Sequence, residues 1–163
     1  MTIEHFIQIA VGVVSVVSIL YIPKTKYRLA LLSFLSLEAT TWASINILVQ
    51  IDAISFPVRE FTKATQGGFI QNFIFYPMIF AWYMVSYPNK SAVIRKILHY
   101  IIFVSAVVWF IYFISVYTGL EDFIKGTKQS QLIRLYISFM LQFGLCHLYI
   151  KWFSKNTDRL IGV

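Results

Sequence analysis

The sequence predicts an all-α membrane protein, a bundle of five transmembrane helices. Hydrophobic residues make up 58% of the 163 residues and charged residues only 13%, a composition outside that of soluble domains. Five apolar runs each approach or exceed the ~20 residues that span a bilayer core. Positive charge is distributed very unevenly among the connections between these runs. These three observations define the fold class and the topology.

Each apolar run is expected to form one helix. The runs are continuously apolar, whereas the strands of a membrane barrel alternate in hydrophobicity. The connections are too short to hold a soluble module, so residues 1–163 are expected to form a single transmembrane domain. The predicted helices span about residues 4–22, 29–50, 69–87, 97–118 and 131–153.

The charges predict which side of the membrane each connection occupies. When the connections are counted alternately, one side carries nine Lys and Arg with a single acid, and the other carries five charges of each sign. The positive-inside rule then places the N-terminus outside and the C-terminus in the cytoplasm of a bacterial cell, with the protein in the cytoplasmic membrane. The net charge of +7 is explained by contact with anionic lipid headgroups. No nucleic-acid-binding module is recognisable, so no nucleic-acid partner is expected.

The longest connection, residues 51–68, is expected to contain a short interfacial helix between helices 2 and 3. Ser55 followed by Pro57 resembles a helix start, and the Gly67-Gly68 pair marks its end. Apolar side chains of this segment could lie on the membrane surface. The segment is either a spacer or a lid over an outward-facing cavity.

The second run contains an acid, Glu38, near its middle. A carboxylate at this depth costs a few kcal/mol on insertion scales, so such residues usually face a protein interior or a water-filled cavity. Counting helical rise from the inner ends of the two helices places Gln142 of the fifth run at the same depth, and we expect the two side chains to face each other. Thr41 and Trp42 follow Glu38 at helical spacing. The acid is either a proton or ligand site, or a neutral packing residue hydrogen-bonded to Gln142 or Thr41.

A second polar layer is expected nearer the outer surface. It consists of amide side chains from three helices, with a tyrosine just below them: Gln8, Asn46, Gln71, Asn72 and Tyr76. The layer either forms the wall of a cavity that leads down to Glu38 or provides hydrogen bonds between helices. The candidate ligand-binding residues are therefore Glu38, Thr41, Trp42, Asn46, Asn72, Tyr76 and Gln142.

No motif in the sequence predicts an enzyme, a metal site or a particular cofactor. The three histidines show no paired ligand spacing, and nucleophile elbows and phosphate-binding loops are missing from the sequence. Cys146 is the only cysteine, so an intrachain disulfide is excluded. Pro77 falls inside the third run, where a proline is expected to kink the helix.

Several local patterns resemble a known group of proteins. They include a PxK turn after the first run, Glu38 and Trp42 in the second, FYP at residues 75–77 and YPNK at residues 87–90. The whole chain looks like the small five-helix membrane proteins of Bacillus- and Clostridium-type bacteria, a group that implies no assigned activity. In size and helix number it is also similar to the tryptophan-rich sensory proteins that bind porphyrins and sterols, although it departs from their WxPP-type pattern.

Two functional hypotheses follow from the sequence. The first is a non-enzymatic membrane protein with a polar intramembrane cavity around Glu38 that binds or passes a small ligand or a proton. The second is an accessory or structural subunit that acts through a partner protein, either another membrane protein or a second copy of the chain. Membrane lipids are expected partners in both cases.

Overall fold

The computed structural model describes residues 3–61, 67–124 and 126–161, and these residues are mostly helical. Four helices are long and apolar enough to cross a membrane, and the helical segment between the second and third of these is shorter, Ile70–Val85. The helices are α1 (Ile3–Ser18), α2 (Tyr27–Gln50), α3 (Tyr76–Val85), α4 (Val93–Tyr117) and α5 (Lys128–Ile161).

A π-helical turn, Ile70–Phe75, leads directly into α3. The Tyr76 N–H bonds to the Gln71 carbonyl five residues earlier. Pro77, which follows at once, has no N–H to donate and its ring clashes with the carbonyl four residues before it. The widened turn accommodates the proline, and it brings Gln71 and Asn72 into the protein interior, where both are buried.

The connections at one end of the bundle pair with each other. Strand β1 (Ile54–Ser55) is antiparallel to β2 (Asp122–Phe123), with Ile54 opposite Phe123. We call this pair the ribbon, and the end of the bundle that it covers the ribbon end. The described part of the 51–68 connection contains this strand and no interfacial helix, while residues 62–66 lie outside the described residues.

The bundle core lies between α2, α3, α4 and α5. Leu37, Phe80, Val107 and Phe143, one from each of these helices, have no exposed surface. Where the surroundings are lipid, such side chains stabilise the bundle through close van der Waals packing, because lipid is as apolar as the core itself. The core continues to the ribbon end, where Ile45, Ile54 and Phe56 form a smaller apolar cluster beneath the ribbon.

Helix α1 lies at the periphery and packs against the π-helical turn. A side chain at Gly12 would meet Ile70 at 3.3 Å, which shows how closely the two segments approach. Seven of the sixteen side chains of α1 are exposed and apolar, among them Phe6 and Val14. This outer surface has the composition expected of a face in contact with lipid.

Candidate functional site

A cavity of about 140 Å³ lies at the ribbon end, between α2, α3, α4, α5 and the ribbon. Most of its lining surface is apolar, although nine of the seventeen lining residues have polar side chains. The polar lining residues are Thr41, Ser44, Asn72, Tyr76, Glu121, Gln131, Arg134, Ser138 and Gln142. Arg134 is exposed and Gln131 partly exposed, which places them at the rim.

Glu121 is the acid of this cavity, and it comes from the connection between α4 and α5. Only 5% of its surface is exposed. The Thr118 hydroxyl accepts a hydrogen bond from the Leu120 N–H (3.3 Å) and donates one to the Ile114 carbonyl (2.5 Å), which turns the chain back over the end of α4. Leu120 is buried beside it, and pairing of β2 with β1 holds the segment against the bundle.

Glu121 and Tyr76 interact inside the cavity, and both retain unused hydrogen-bonding capacity. Burial raises the pKa of the Glu121 carboxyl to about 8, and the effect is partly offset by the Tyr76 hydroxyl, which favours the ionised form. The two groups are close enough for this effect, yet neither the Tyr76 hydroxyl nor Glu121 Oε2 has a partner within hydrogen-bonding geometry among the described residues. Buried polar atoms are nearly always hydrogen-bonded, so a polar group placed between these two neighbouring side chains would satisfy both.

A short hydrogen-bond chain joins α2 and α5 in the wall of the cavity. The Thr41 hydroxyl donates to Gln142 Oε1 (3.3 Å), and Gln142 Nε2 donates to the Ser138 hydroxyl (3.0 Å). These contacts fix the orientation of the Gln142 amide. The partner of Gln142 on α2 is thus Thr41, whereas Glu38 was expected in that place.

The candidate residues from the sequence divide into two groups. Thr41, Asn72, Tyr76 and Gln142 all line the cavity, and they come from four different elements: α2, the π-helical turn, α3 and α5. The remaining three candidates do not line it.

Glu38, Trp42 and Asn46 follow one another at four-residue intervals and form a stripe on another side of α2. Trp42 is 56% exposed, and the Asn46 amide donates to the Trp42 carbonyl of its own helix (2.8 Å). Glu38 is partly exposed, and the structure shows no hydrogen bond or ion pair between it and another described residue. Glu38 thus does not line the cavity at the ribbon end, and the acid that does is Glu121.

The expected layer of amides is also divided. Gln8, Gln71 and Asn72 are buried, at 2–3% exposure, whereas Asn46 is exposed. The Asn72 side-chain amide donates a hydrogen bond to the Gly68 carbonyl (2.8 Å). Gln8 Nε2 and Gln71 Oε1, a donor and an acceptor, lack hydrogen-bond partners among the described residues.

Two histidines meet around Tyr83 at the opposite end of the bundle. The Tyr83 hydroxyl lies 2.8 Å from His147 Nδ1, and the Tyr83 ring stacks on His99 with a centroid distance of 5.3 Å. His99 Nε2 also lies 3.1 Å from the Tyr83 carbonyl oxygen. These contacts tie α3, α4 and α5 together. Within the described ranges, no group of three His, Cys, Asp or Glu residues could hold a metal ion.

Comparison with known proteins finds no family model, no curated protein and no solved structure that matches this chain. The residues of the cavity are therefore the basis for assigning a function.

Proposed function

We propose that this chain is an integral membrane protein that binds, or passes, a small ligand or a proton through the cavity at its ribbon end. The observation that carries the proposal is the pair of buried polar atoms in the cavity, the Tyr76 hydroxyl and Glu121 Oε2, which lack hydrogen-bond partners among the described residues. An unsatisfied buried polar group costs about 1–3 kcal/mol. A ligand that supplies the missing hydrogen bonds recovers this energy.

The size and lining of the cavity also support ligand binding. Binding sites for small molecules are typically concave and largely apolar, with a few polar groups that fix orientation. The volume of about 140 Å³ is close to that of an engineered cavity that accepts benzene. One part of the cavity wall is polar and fixed in orientation by hydrogen bonds, and it consists of Thr41, Ser138 and Gln142.

The proposal includes five membrane crossings, with the ribbon end outside the cell. The segment Ile70–Val85 is apolar and has helical neighbours on several sides, so it can cross as part of a bundle. Connections at the opposite end carry most of the Lys and Arg residues, which the positive-inside rule assigns to the cytoplasm. The cavity then faces the exterior of a bacterial cytoplasmic membrane.

Cysteine labelling tests whether solution reaches this cavity. In a Cys146→Ala background, which removes the native thiol, Ser138→Cys places a thiol in the cavity wall. A small, membrane-impermeant methanethiosulfonate added to intact cells is expected to label this thiol. Ser33→Cys is the matched control, because Ser33 is fully buried on α2 and lies outside the cavity lining.

Equal labelling of the two cysteines contradicts the proposal. So does a folded Ser138→Cys protein that is labelled from neither side of the membrane. Folding of each variant is checked by size-exclusion chromatography and by its thermal unfolding temperature. If Ser138→Cys is labelled only after the membranes are opened to give access to the cytoplasmic face, the proposed orientation is wrong, but the accessible cavity is confirmed.

A further inference from the structure

The chemistry of the cavity lining narrows the class of ligand. Besides the Glu121 carboxyl, the lining contains three aromatic rings, those of Tyr76, Phe123 and Phe139. The Tyr76 and Phe139 rings pack edge to face with a centroid distance of 5.7 Å. Aromatic faces attract cations, and the attraction reaches about 2 kcal/mol or more where the ligand is desolvated. A carboxyl group next to several aromatic rings is a combination suited to an organic cation.

Apart from Glu121, the described lining of the cavity contains one charged side chain, and it lies at the rim. The titratable groups in its described lining are Glu121, Tyr76 from α3 and Arg134 from α5; α2, α4 and β1 contribute none. Arg134 is exposed, and its guanidinium lies 3.6 Å from the position of a side chain at Gly126, on the rim. The buried interior of the cavity therefore contains an acid and aromatic rings, while Arg134, the cationic residue of the described lining, is at the entrance.

We propose that the ligand is a small organic cation, an alkylammonium ion, held between the Glu121 carboxylate and the rings of Tyr76, Phe123 and Phe139. This inference rests on the proposed function, since it names the ligand class of the same cavity. The bound cation compensates the charge of the ionised carboxylate in an apolar site. When it enters a cavity whose Glu121 is protonated, the carboxyl proton is released to water, so that the charge inside the cavity remains balanced.

Three probe molecules of similar shape but different charge show whether the charge of the ligand or only its size determines binding. They are choline, its uncharged analogue with a tert-butyl group in place of the trimethylammonium group, and the anion tert-butylacetate. The hydroxyl that choline shares with its uncharged analogue is the group that can hydrogen-bond to Glu121 Oε2 or to the Tyr76 hydroxyl. Binding to the purified full-length protein in lipid nanodiscs is measured by isothermal titration calorimetry. We expect choline to bind at least about tenfold more tightly than the other two, since neither of them gains both the attraction to the carboxylate and the attraction to the aromatic rings.

Proton release gives a second, independent readout. Titrations in buffers of different ionisation enthalpy count the protons released for each ligand bound. Because the pKa of Glu121 is about 8, the carboxyl is mostly protonated at neutral pH, and choline is expected to release close to one proton there. Its affinity should rise with pH up to about 8, and the uncharged analogue should show neither effect.

Glu121→Gln keeps the shape of the protonated acid and removes the charge. It is expected to lower choline affinity by roughly tenfold or more, with a much smaller effect on the uncharged analogue. Asp122→Asn is the matched control, because Asp122 is the adjacent acid and is exposed. The comparison of the three probes on the wild-type protein remains decisive if Glu121→Gln fails to fold.

Failure of this inference is distinguishable from failure of the proposed function. If the uncharged analogue or tert-butylacetate binds as tightly as choline or more tightly, the proposal of a cationic ligand is wrong, but the proposal of a ligand-binding cavity stands. If none of the three probes binds although Ser138→Cys is labelled, the proposal of a cationic ligand is also wrong. If Ser138→Cys is inaccessible as well, both proposals are wrong.

Discussion

A single buried carboxyl group dominates the electrostatics of the ribbon end. Glu121 is 5% exposed, and burial raises its pKa from 4.5 to about 8. The folded protein therefore holds this proton more tightly than the unfolded chain does. By linkage, this group stabilises the fold most at pH values below its unfolded pKa, and the stabilisation is lost as pH rises through the folded value.

The first prediction concerns this pH dependence. Between about pH 4.5 and pH 8, the Glu121 contribution to the free energy of unfolding should fall by roughly 1.4 kcal/mol per pH unit. The thermal unfolding temperature of the wild type, relative to that of Glu121→Gln, should decrease across this window and become constant above it. A difference between the two proteins that does not vary with pH would show that Glu121 is not buried.

The second prediction concerns Tyr83, whose hydroxyl lies 2.8 Å from His147 Nδ1. Tyr83→Phe leaves this histidine nitrogen without its partner and should lower the free energy of unfolding by roughly 1 kcal/mol. The measurement is unfolding in mixed micelles, with Tyr117→Phe, at an exposed position, as the control. A double-mutant cycle with His147→Leu should give a coupling energy; additive effects would mean that the hydrogen bond contributes nothing.

At the scale of elements, two short strands and one π-helical turn position the cavity. Each strand has only two residues, and each lies in a connection between membrane helices. The π-helical turn before Pro77 is stabilised at its start by Glu60, whose carboxylate accepts hydrogen bonds from the N–H groups of Phe69 (2.9 Å) and Ile70 (3.3 Å). These irregular elements, rather than the long helices, determine where the polar groups meet.

The third prediction concerns the start of α5. Gly126 has a φ of 100°, and a side chain there would lie 2.7 Å from the Ser130 hydroxyl. Gly126→Ala should therefore destabilise the protein by about 1 kcal/mol or more. Gly119→Ala is the matched control, since its side chain would meet Val58 at an ordinary 3.8 Å. Thermal unfolding of the two variants is compared, and equal losses would contradict the assigned backbone strain.

The regular elements could be predicted from the sequence and the irregular ones could not. Apolar length specifies helices directly, because a span of lipid requires about 20 apolar residues. Glu121 was missed because it lies in a polar connection, and two strands of two residues provide too few positions for a pattern of alternation. The available signal was local: the apolar Leu120 and Phe123 flank the acid within an otherwise polar segment.

Helical periodicity also explains why only part of the candidate site was found. Successive residues of an α-helix differ by about 100° in direction, so an acid next to a buried position need not be buried itself. Leu37 and Thr41 face the bundle, whereas Glu38 and Trp42 lie one step around the helix. Thr41 was identified through its spacing from Glu38, although it reaches Gln142 in place of that acid.

At the scale of the whole molecule, the cavity and the net positive charge lie at opposite ends. The cavity lies at the ribbon end, and the opposite end carries most of the Lys and Arg residues. Between them, the core is filled by apolar and aromatic side chains such as Phe80 and Phe143. The excess of Lys and Arg at the opposite end is the charge pattern expected of a cytoplasmic face.

The fourth prediction concerns this topology. With five crossings, a C-terminal reporter that fluoresces only in the cytoplasm should be active, and a single cysteine at Asp52, in the Cys146→Ala background, should react with an impermeant reagent from outside. A cysteine at Asn89, in the connection between α3 and α4, should react only after the membrane is opened. Reaction of both cysteines from the same side would rule out a crossing by Ile70–Val85.

The origin of the cavity acid in a connection has a consequence for biogenesis. An acid within a membrane helix raises the cost of inserting that helix by a few kcal/mol, and Glu38 imposes this cost on α2. Glu121 does not impose it on α4 or α5, because it lies between them. Neither helix therefore has to carry this acid into the bilayer. The desolvation of Glu121 is thus postponed until the ribbon forms, so that the site is completed during tertiary folding rather than during insertion.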